Sequence, residues 1–124
     1  MRVMIVDDEE YIAEELSDAL DFLGLQTFSV NSADQALKGL REETNIDWVI
    51  TDLRMPNKTG EILIAEVNET IGREINFIVM SGHGGDEFTQ EKLKSSFPNV
   101  VGFARKPVSF DTLQELVTKT LKAG

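Results

Sequence analysis

The feature that most constrains the fold is a fivefold alternation of short, apolar, β-branched runs with longer segments of helical periodicity. The predicted strands are RVMIV (2–6), QTFSV (26–30), WVIT (48–51), INFIVM (75–80) and VVGFA (100–104). Strands that are apolar along most of their length and are separated by helices are typical of a parallel sheet covered on both faces. Right-handed crossover connections then favour an open, doubly wound α/β sheet of five strands.

The predicted helices follow the strands, and most of them have recognisable ends. They run from Glu9 to Leu23, from a cap at Ser32 through Leu40, from Thr59 to Ile71, from about Glu87 to Ser96, and from a cap at Ser109 through Leu121. Ser32 and Gln35 have the spacing of a capping box, and Gly24 closes the first helix. The segment 87–96 is the weak one, because its apolar residues do not share one face. We expect this helix to be loosely packed or mobile.

Length, composition and charge exclude several classes of function. A chain of 124 residues is long enough for one core, so we expect a single domain over 1–124 and no effector domain in this chain. The sequence has no cysteine, which excludes disulfides, thiolate catalysis and Cys-based zinc sites. No apolar run approaches the roughly 20 residues that span a bilayer, so the cytoplasm is the expected compartment. A formal charge of −10 disfavours binding to nucleic acid and to anionic membranes.

Polar side chains follow four of the five predicted strands. They are Asp7 and Asp8 after the first strand, Asp52 after the third, Ser81 and Gly82 after the fourth, and Lys106 and Pro107 after the fifth. In open parallel sheets, functional sites lie beyond the carboxyl ends of the strands. These four strands are contiguous if the second strand lies outside the first, which gives the strand order 2-1-3-4-5.

The residues at these strand ends have the chemistry of a phosphoryl-transfer site. Neighbouring strands lie about 4.8 Å apart, so Asp7 or Asp8 would be close to Asp52. Crowded carboxylates raise one another's pKa unless a cation neutralises them, and hard oxygen ligands suit Mg²⁺. Lys106 supplies an ammonium group and Ser81 a hydroxyl donor. Asp52 is therefore predicted to be a carboxylate nucleophile that accepts phosphate.

Four short motifs carry a resemblance to a known family. They are IVDDE at 5–9, DLRMP at 52–56 with Gly60 following, MSG at 80–82, and KP at 106–107. Each fragment alone is weak evidence, but all four occur at the ends of the expected strands and in the expected order. Over essentially its whole length the sequence resembles the receiver domains of two-component response regulators. The resemblance implies a flavodoxin-like, doubly wound sheet with helices on both faces.

The resemblance also implies a phosphorylated residue and a metal site. Asp52 would be the phosphoacceptor, and Mg²⁺ would be the cofactor, with Mn²⁺ as a plausible substitute. Asp8 would bind the metal directly and Asp7 mainly through water. Asp52 itself and the backbone carbonyl of Arg54 would complete the protein ligands.

Further residues would bind the phosphoryl group or respond to it. By the same resemblance, Lys106 would pair with the carboxylate before the reaction and with the phosphoryl group afterwards, and Ser81 would donate a hydrogen bond to a phosphoryl oxygen. Phe103 matches the family's aromatic switch position, and the bond between Lys106 and Pro107 would be cis. The residues Gly82, Met55 and Pro56 would lie near the site.

The expected partners follow from the resemblance as well. The phosphoryl donor would be a histidine kinase or a histidine phosphotransfer protein, and the output would reach a downstream protein or an effector domain outside this chain. A phosphorylation-dependent homodimer is a further possibility. The domain would catalyse its own phosphorylation and dephosphorylation but turn over no separate substrate, so it would not be an enzyme in the usual sense.

Two local interpretations concern residues outside this core set. Tyr11 and Phe22 share an acidic flank of the first helix, which is either a docking surface for the phosphoryl donor or ordinary surface with Phe22 tucked under a loop. Arg54 and His83 are hypothesised to shield the phosphoryl group partly from water.

Two competing functions use similar residues. A phosphohydrolase of the haloacid-dehalogenase type has its nucleophile in a D-x-D pattern after the first strand, whereas Asp7 and Asp8 are adjacent here. A phosphorylation-independent interaction module on the same fold would carry the same residues unused. The segment between Ser81 and Lys106 is longer than is common in receiver domains, so the fourth helix and the residues before it are where we expect the chain to depart from the family pattern.

Overall fold

The structure of the protein is a computed structural model that describes residues 2–82 and 87–121. The strands are β1 (Arg2–Val6), β2 (Gln26–Val30), β3 (Ile46–Asp52), β4 (Asn76–Ser81) and β5 (Val100–Arg105). The helices are α1 (Glu10–Phe22), α2 (Ala33–Glu42), α3 (Gly60–Thr70), α4 (Glu87–Ser96) and α5 (Phe110–Leu116), which continues as a π-helical turn (Val117–Leu121). Strands and helices alternate along the chain as predicted.

All five strands form one parallel sheet in the order β2-β1-β3-β4-β5, which confirms the predicted order. In the register of this sheet, Val6 is aligned with Thr51 and Asp52 with Met80. The chain reverses its direction of winding between β1 and β3, which is where ligands bind in sheets of this kind. The carboxyl ends of β1, β3, β4 and β5 therefore meet at one edge of the sheet.

The sheet separates two apolar layers, because successive side chains of a strand point to opposite faces. One layer lies under α2, α3 and α4 and includes Met4, Val6, Val49, Phe77, Val79, Leu37, Leu40, Leu63, Ile64 and Leu93. The other lies under α1 and α5 and includes Val3, Ile5, Ile50, Ile78, Met80, Leu16, Leu20, Leu113 and Val117. Helices thus cover both faces, and the polar site is confined to the edge where the strands end.

The ends of the elements differ in several places from the sequence-based expectation. β3 begins at Ile46 rather than Trp48, and β5 extends to Arg105, which pairs with Ser81. Backbone pairing continues through polar residues at the ends of these strands, so the apolar run alone underestimates their length. The last helix reaches Leu121 as predicted, but beyond Leu116 it changes from an α-helix to a π-helical turn.

Hydroxyl caps begin three of the helices. The Thr59 and Ser109 hydroxyls accept the backbone N–H groups of Ile62 and Thr112, respectively. The Ser32 hydroxyl accepts the N–H of Gln35, and the Gln35 side chain in turn accepts the N–H of Asn31. The predicted capping box therefore closes one residue earlier than its usual form.

Helix α4 is anchored to the sheet by few side chains. Within the described part of this helix, Leu93 is the one buried side chain. The expected loose packing of this helix stays a prediction, and His83, with its hypothesised shielding role, lies outside the described residues. Within residues 2–82 and 87–121, none of the helices combines the length and the hydropathy that a membrane span requires.

Gly60 lets the first turn of α3 press against the end of β3. Its N–H donates to the carbonyl of Leu53 over 2.9 Å. A Cβ atom at this position would lie 2.5 Å from the backbone oxygen of Asp52 and 3.1 Å from Cα of Leu53. Since backbone atoms cannot rotate away, a side chain here has to displace either the helix or the strand end that carries Asp52.

We expect Gly60→Ala to lower the free energy of unfolding by about 1–3 kcal/mol, because it overpacks a rigid contact. Gly72→Ala is the matched control, since a Cβ there meets no atom within 4 Å and the backbone has no positive φ. Its effect should stay within about 0.5 kcal/mol. Urea denaturation measures both variants, and equal effects would contradict the assignment of the contact.

Candidate functional site

Asp52 is a buried carboxylate at the end of a central strand. Its side chain belongs to the last residue of β3 and is 5% exposed. Oδ2 accepts a hydrogen bond from Lys106 Nζ over 3.0 Å, and Oδ1 accepts the N–H of Arg54 over 3.3 Å. The Thr51 hydroxyl donates to the backbone carbonyl of Asp52 over 3.0 Å. The strand end and the loop after it therefore hold the carboxylate in place.

Asp7 and Asp8 bring two further carboxylates to Asp52 from the neighbouring strand end. Asp7 is fully buried, and its Oδ1 accepts the N–H of Glu9 over 2.9 Å. Its Oδ2 lies 2.9 Å from Lys106 Nζ but receives no well-aligned hydrogen bond from any described residue. Asp8 is exposed. One carboxylate oxygen of each of the three aspartates lies within 4.8 Å of the others.

The three aspartates fit a divalent cation. Among the described residues, Asp7 Oδ2 has only the ammonium group of Lys106 nearby, and Lys106 is shared with Asp52, so a bound metal would lower the cost of burying its charge. Carboxylate oxygens with an open, hydrated side are the donor set that Mg²⁺ prefers. Asp8 is exposed to solvent, whereas Asp7 and Asp52 are buried. A bound ion could therefore keep water ligands on the side of Asp8 and take carboxylate oxygens from Asp7 and Asp52. Arg54 lies at the same cleft, two residues beyond Asp52.

Lys106 is the counterion of the cluster. Its Nζ lies 2.9 Å from Asp7, 3.0 Å from Asp52 and 3.7 Å from Glu9. Burial opposes the charge of Lys106, but the close carboxylates of Asp7 and Asp52 outweigh burial and raise the pKa of Lys106 above its ordinary value. The ammonium group therefore stays protonated at neutral pH.

Asp52 is held in a state that resists ionisation. Burial raises its pKa above the ordinary value, and the nearby charge of Asp7 raises it further. Lys106 and the N–H of Arg54 lower the pKa of Asp52 but do not cancel the effect of burial. The ionised carboxylate is consequently destabilised in the absence of a metal, which favours its reaction with an electrophile.

A cleft of about 380 Å³ opens above Asp52. It is lined by Glu9, Ile12, Asp52, Arg54, Gly82, Lys106 and Pro107. The bond between Lys106 and Pro107 is cis, as predicted. Ser81 lies half-buried at the end of β4, and its carbonyl accepts the N–H of Lys106 over 2.8 Å. Two predicted phosphate-binding residues are thus joined through their backbones beside the cleft.

Other residues predicted to lie at the site have different surroundings. Phe103 is half-buried on β5, where it is aligned with Val79 and packs on the core layer under α2, α3 and α4. Met55 is buried in that same layer, and Pro56 is exposed in the loop after β3. Neither Met55 nor Pro56 lines the cleft. Gly82 and Pro107 do line it.

Sequence reasoning missed two contacts. It assigned no role to Glu9, which approaches Lys106 from the start of α1. It also overlooked Lys58, which forms ion pairs with Asp34 and Glu66 on two different helices. The first contact could have been suspected from the position of Glu9 beside the two aspartates. The second depends on how α2 and α3 pack, for which the local sequence has no signal.

The acidic flank of α1 is exposed. Tyr11 is 71% exposed and Phe22 81% exposed, so the interpretation that Phe22 lies beneath a loop is wrong. Instead, Phe22 packs edge to face against Phe110 with 5.8 Å between ring centroids. The alternative interpretation, a docking surface, stays a prediction.

The raised pKa of Asp52 predicts a stability change on its replacement. A carboxyl whose pKa is higher in the folded than in the unfolded protein loses stability as the pH rises through the folded pKa. Without metal, Asp52→Asn should therefore be more stable than the wild type at pH 7, by about 1.4 kcal/mol for each unit by which folding raises the pKa of Asp52. The difference should vanish below the ordinary carboxyl pKa.

Urea titrations in a chelating buffer from pH 3.5 to pH 7.5 measure this difference. An Asp52→Asn variant that is less stable than the wild type at neutral pH would show that the pair with Lys106 outweighs burial.

The chain is similar over nearly its full length to a family model and to several known proteins. Residues 3–118 match the model of the response regulator receiver domain. The chain is 26% identical over 98% of its length to the C4-dicarboxylate transport transcriptional regulatory protein DctD of Pseudomonas aeruginosa. It is 29% identical over 95% of its length to the sensor histidine kinase RcsC of Escherichia coli.

These relatives are much longer, since the chain spans 25% of DctD and 12% of RcsC. Among solved structures, a response regulator receiver protein from Pseudomonas putida superimposes with a TM-score of 0.81 and 32% identity, covering 95% of both chains. The family match, the strand order and the placement of the motif residues agree. The chain belongs to the response regulator receiver domain family.

Proposed function

We propose that this receiver domain accepts a phosphoryl group onto Asp52 from a phosphohistidine donor, in a Mg²⁺-dependent reaction, and then changes conformation to control a partner or effector. The observation that carries the proposal is the buried carboxylate of Asp52, which lies 3.0 Å from Lys106 Nζ and within a cluster of three aspartates. A fixed carboxylate beside a cation and a metal site is suited to attack on phosphorus.

In the proposed transfer, an oxygen of Asp52 forms a bond to phosphorus while the bond between phosphorus and the donor's histidine nitrogen breaks. The leaving imidazole keeps the bonding electrons. Burial destabilises the charge on Asp52 before the reaction, and that charge moves onto the phosphoryl oxygens as the bond forms. The cleft above Asp52 is open to solvent on one side, so a donor imidazole can approach the carboxylate.

The chain's own residues would divide the new charge between them. Lys106, already 3.0 Å from Asp52, needs only a small movement to contact a phosphoryl oxygen. Ser81 would donate its hydroxyl to another oxygen. Asp7, Asp8 and Asp52, with the backbone carbonyl of Arg54, would hold Mg²⁺. When bound, the ion supplies positive charge that neutralises the carboxylates and the transferring group.

The switch would begin at the two residues that contact phosphate. Ser81 is the last residue of β4, and Lys106 directly precedes Pro107. The Lys106 N–H donates to the Ser81 carbonyl over 2.8 Å. A movement of Ser81 toward phosphate would change the space available to Phe103, which is half-buried on the neighbouring strand. Contacts with phosphate would thus shift the equilibrium between two packings of the side chains around Ser81 and Phe103.

The partners in this proposal are a histidine kinase or a histidine phosphotransfer protein as donor, and a downstream protein or effector domain as receiver of the signal. DctD is named as a transcriptional regulatory protein and RcsC as a sensor histidine kinase, so related receiver sequences occur in proteins of both kinds. We place no separate substrate at the site, and the exposed flank with Tyr11 and Phe22 is the proposed contact for the donor.

Intact-mass measurement after incubation with phosphoramidate tests the transfer. We expect one phosphoryl adduct on the wild type, formed with MgCl₂ and not in a chelating buffer. Asp52→Asn is the control and should form no adduct, because the amide cannot act as the nucleophile. Failure of the folded wild type to form the adduct, or an equal adduct on Asp52→Asn, would contradict the proposal.

Thermal melting tests the metal site independently of phosphorylation. MgCl₂ should raise the melting temperature of the wild type, because a ligand that binds only the folded state stabilises it, by about 1.4 kcal/mol at ten times the dissociation constant. Asp8→Asn should lose most of this increase, since Asp8 is the exposed ligand of the cluster.

Asp18→Asn is the matched control for Asp8→Asn, because Asp18 is an exposed aspartate of α1 outside the cluster. It should respond to MgCl₂ as the wild type does. Equal responses of all three proteins would indicate a nonspecific ionic effect rather than a site.

A further inference from the structure

The loop after β3 connects Asp52 to helix α3. It comprises residues 53–59 and includes Arg54, whose backbone carbonyl belongs to the proposed Mg²⁺ site. Arg54 contacts the cluster through its N–H, which donates to Asp52 Oδ1 over the long distance of 3.3 Å. The conformation of this loop therefore decides whether the carbonyl and the carboxylate face the metal together.

The loop has few backbone bonds of its own. The Gly60 N–H donates to the Leu53 carbonyl over 2.9 Å, and the Lys58 N–H donates to the Pro56 carbonyl over 2.8 Å. Asn57 has a φ of 71°, a left-handed conformation that asparagine tolerates better than most residues. A loop that turns this sharply benefits from a tether outside its own backbone.

Lys58 is such a tether. Its Nζ lies 2.8 Å from Asp34 Oδ1 in the first turn of α2 and 3.1 Å from Glu66 Oε1 on α3. The side chain of Lys58 is 34% exposed, so the ammonium group is partly shielded from solvent. The carboxylates of Asp34 and then Glu66 raise the pKa of Lys58 above its ordinary value, which keeps it charged. One loop residue is thus attached to two helices.

We propose that Lys58 is a positioning residue, whose ion pairs with Asp34 and Glu66 hold the loop in the conformation that presents Arg54 and Asp52 to the metal. The inference rests on the proposed function, because the Mg²⁺ site is part of it. Lys58 contacts neither the aspartate cluster nor the cleft above it. Its influence on the metal is therefore indirect and passes through the loop.

The direction in which Mg²⁺ affinity changes when Lys58 is replaced distinguishes a positioning role from a purely electrostatic one. Removal of a positive charge near a cation site reduces repulsion and strengthens Mg²⁺ binding, or leaves it unchanged where salt screens the charge. Loss of the tether lets the loop sample other conformations and weakens Mg²⁺ binding. The two explanations predict changes in opposite directions for the same substitution.

Titration of MgCl₂ into isotopically labelled protein, followed by amide chemical shifts, measures the dissociation constant. We expect Lys58→Met to bind Mg²⁺ about two- to fivefold more weakly, which is the range for partly exposed ion pairs. Lys58→Arg should restore binding, because a guanidinium can contact both carboxylates. Thermal melting in a chelating buffer shows whether global stability has changed.

Lys38→Met is the matched control, since Lys38 is exposed on α2 and forms no ion pair with any residue in the described part of the chain. Binding by Lys38→Met should equal that of the wild type or be slightly tighter. The inference is overturned if Lys58→Met binds Mg²⁺ as tightly as the wild type does, or if Lys38→Met weakens binding as much as Lys58→Met.

Two further variants keep the test decisive if Lys58→Met does not fold. Glu66→Gln and Asp34→Asn each remove one ion pair and should each weaken Mg²⁺ binding more than Glu69→Gln does, which removes an equal charge from an exposed residue of α3 that forms no ion pair with any described residue. Effects no larger than that of Glu69→Gln overturn the inference. The wild type and Asp8→Asn distinguish this failure from that of the proposed function. If the wild type shows no saturable Mg²⁺ binding, the metal site is overturned as well. If Asp8→Asn abolishes binding but Lys58→Met binds as the wild type does, only the role of Lys58 is overturned.

Discussion

The structure of this site depends on one shared counterion. Lys106 places a single ammonium between Asp7 and Asp52, at 2.9 and 3.0 Å, in a region where both carboxylates are buried. Buried charges are tolerated only when they are paired, and one cation for two anions leaves the region one positive charge short. Burial is the main cause of the raised pKa of Asp52, and the nearby charge of Asp7 raises it further. A divalent cation bound by the three aspartates would supply the missing positive charge.

The fold creates this deficit and confines it. Parallel pairing aligns the ends of β1, β3, β4 and β5, so groups far apart in sequence converge at one edge while two apolar layers fill the faces. Gly60 lets α3 begin directly against the backbone of Asp52, and Lys58 ties the intervening loop to α2 and α3. The carboxylate is therefore held from the strand side by the sheet and from the loop side by two helices.

Much of this arrangement could be predicted from the sequence, because it depends on periodic patterns and on residues that follow strands. The parallel sheet, its order and the convergence of Asp7, Asp52 and Lys106 follow from those signals. The π-helical turn after Leu116 could not be predicted, since no local pattern in the sequence distinguishes it from a continued α-helix. The ion pairs of Lys58 depend on the distance between two helices, which no local pattern specifies.

The central claim is that the carboxylate of Asp52 itself becomes phosphorylated. The most direct test is to phosphorylate the protein with phosphoramidate and MgCl₂, reduce it with borohydride, and locate the product by peptide mass spectrometry. Reduction of an aspartyl phosphate yields homoserine, so the account predicts homoserine in place of Asp52 and at no other aspartate. Homoserine at Asp7 or Asp8, or phosphate retained on a serine, threonine or histidine, would contradict it.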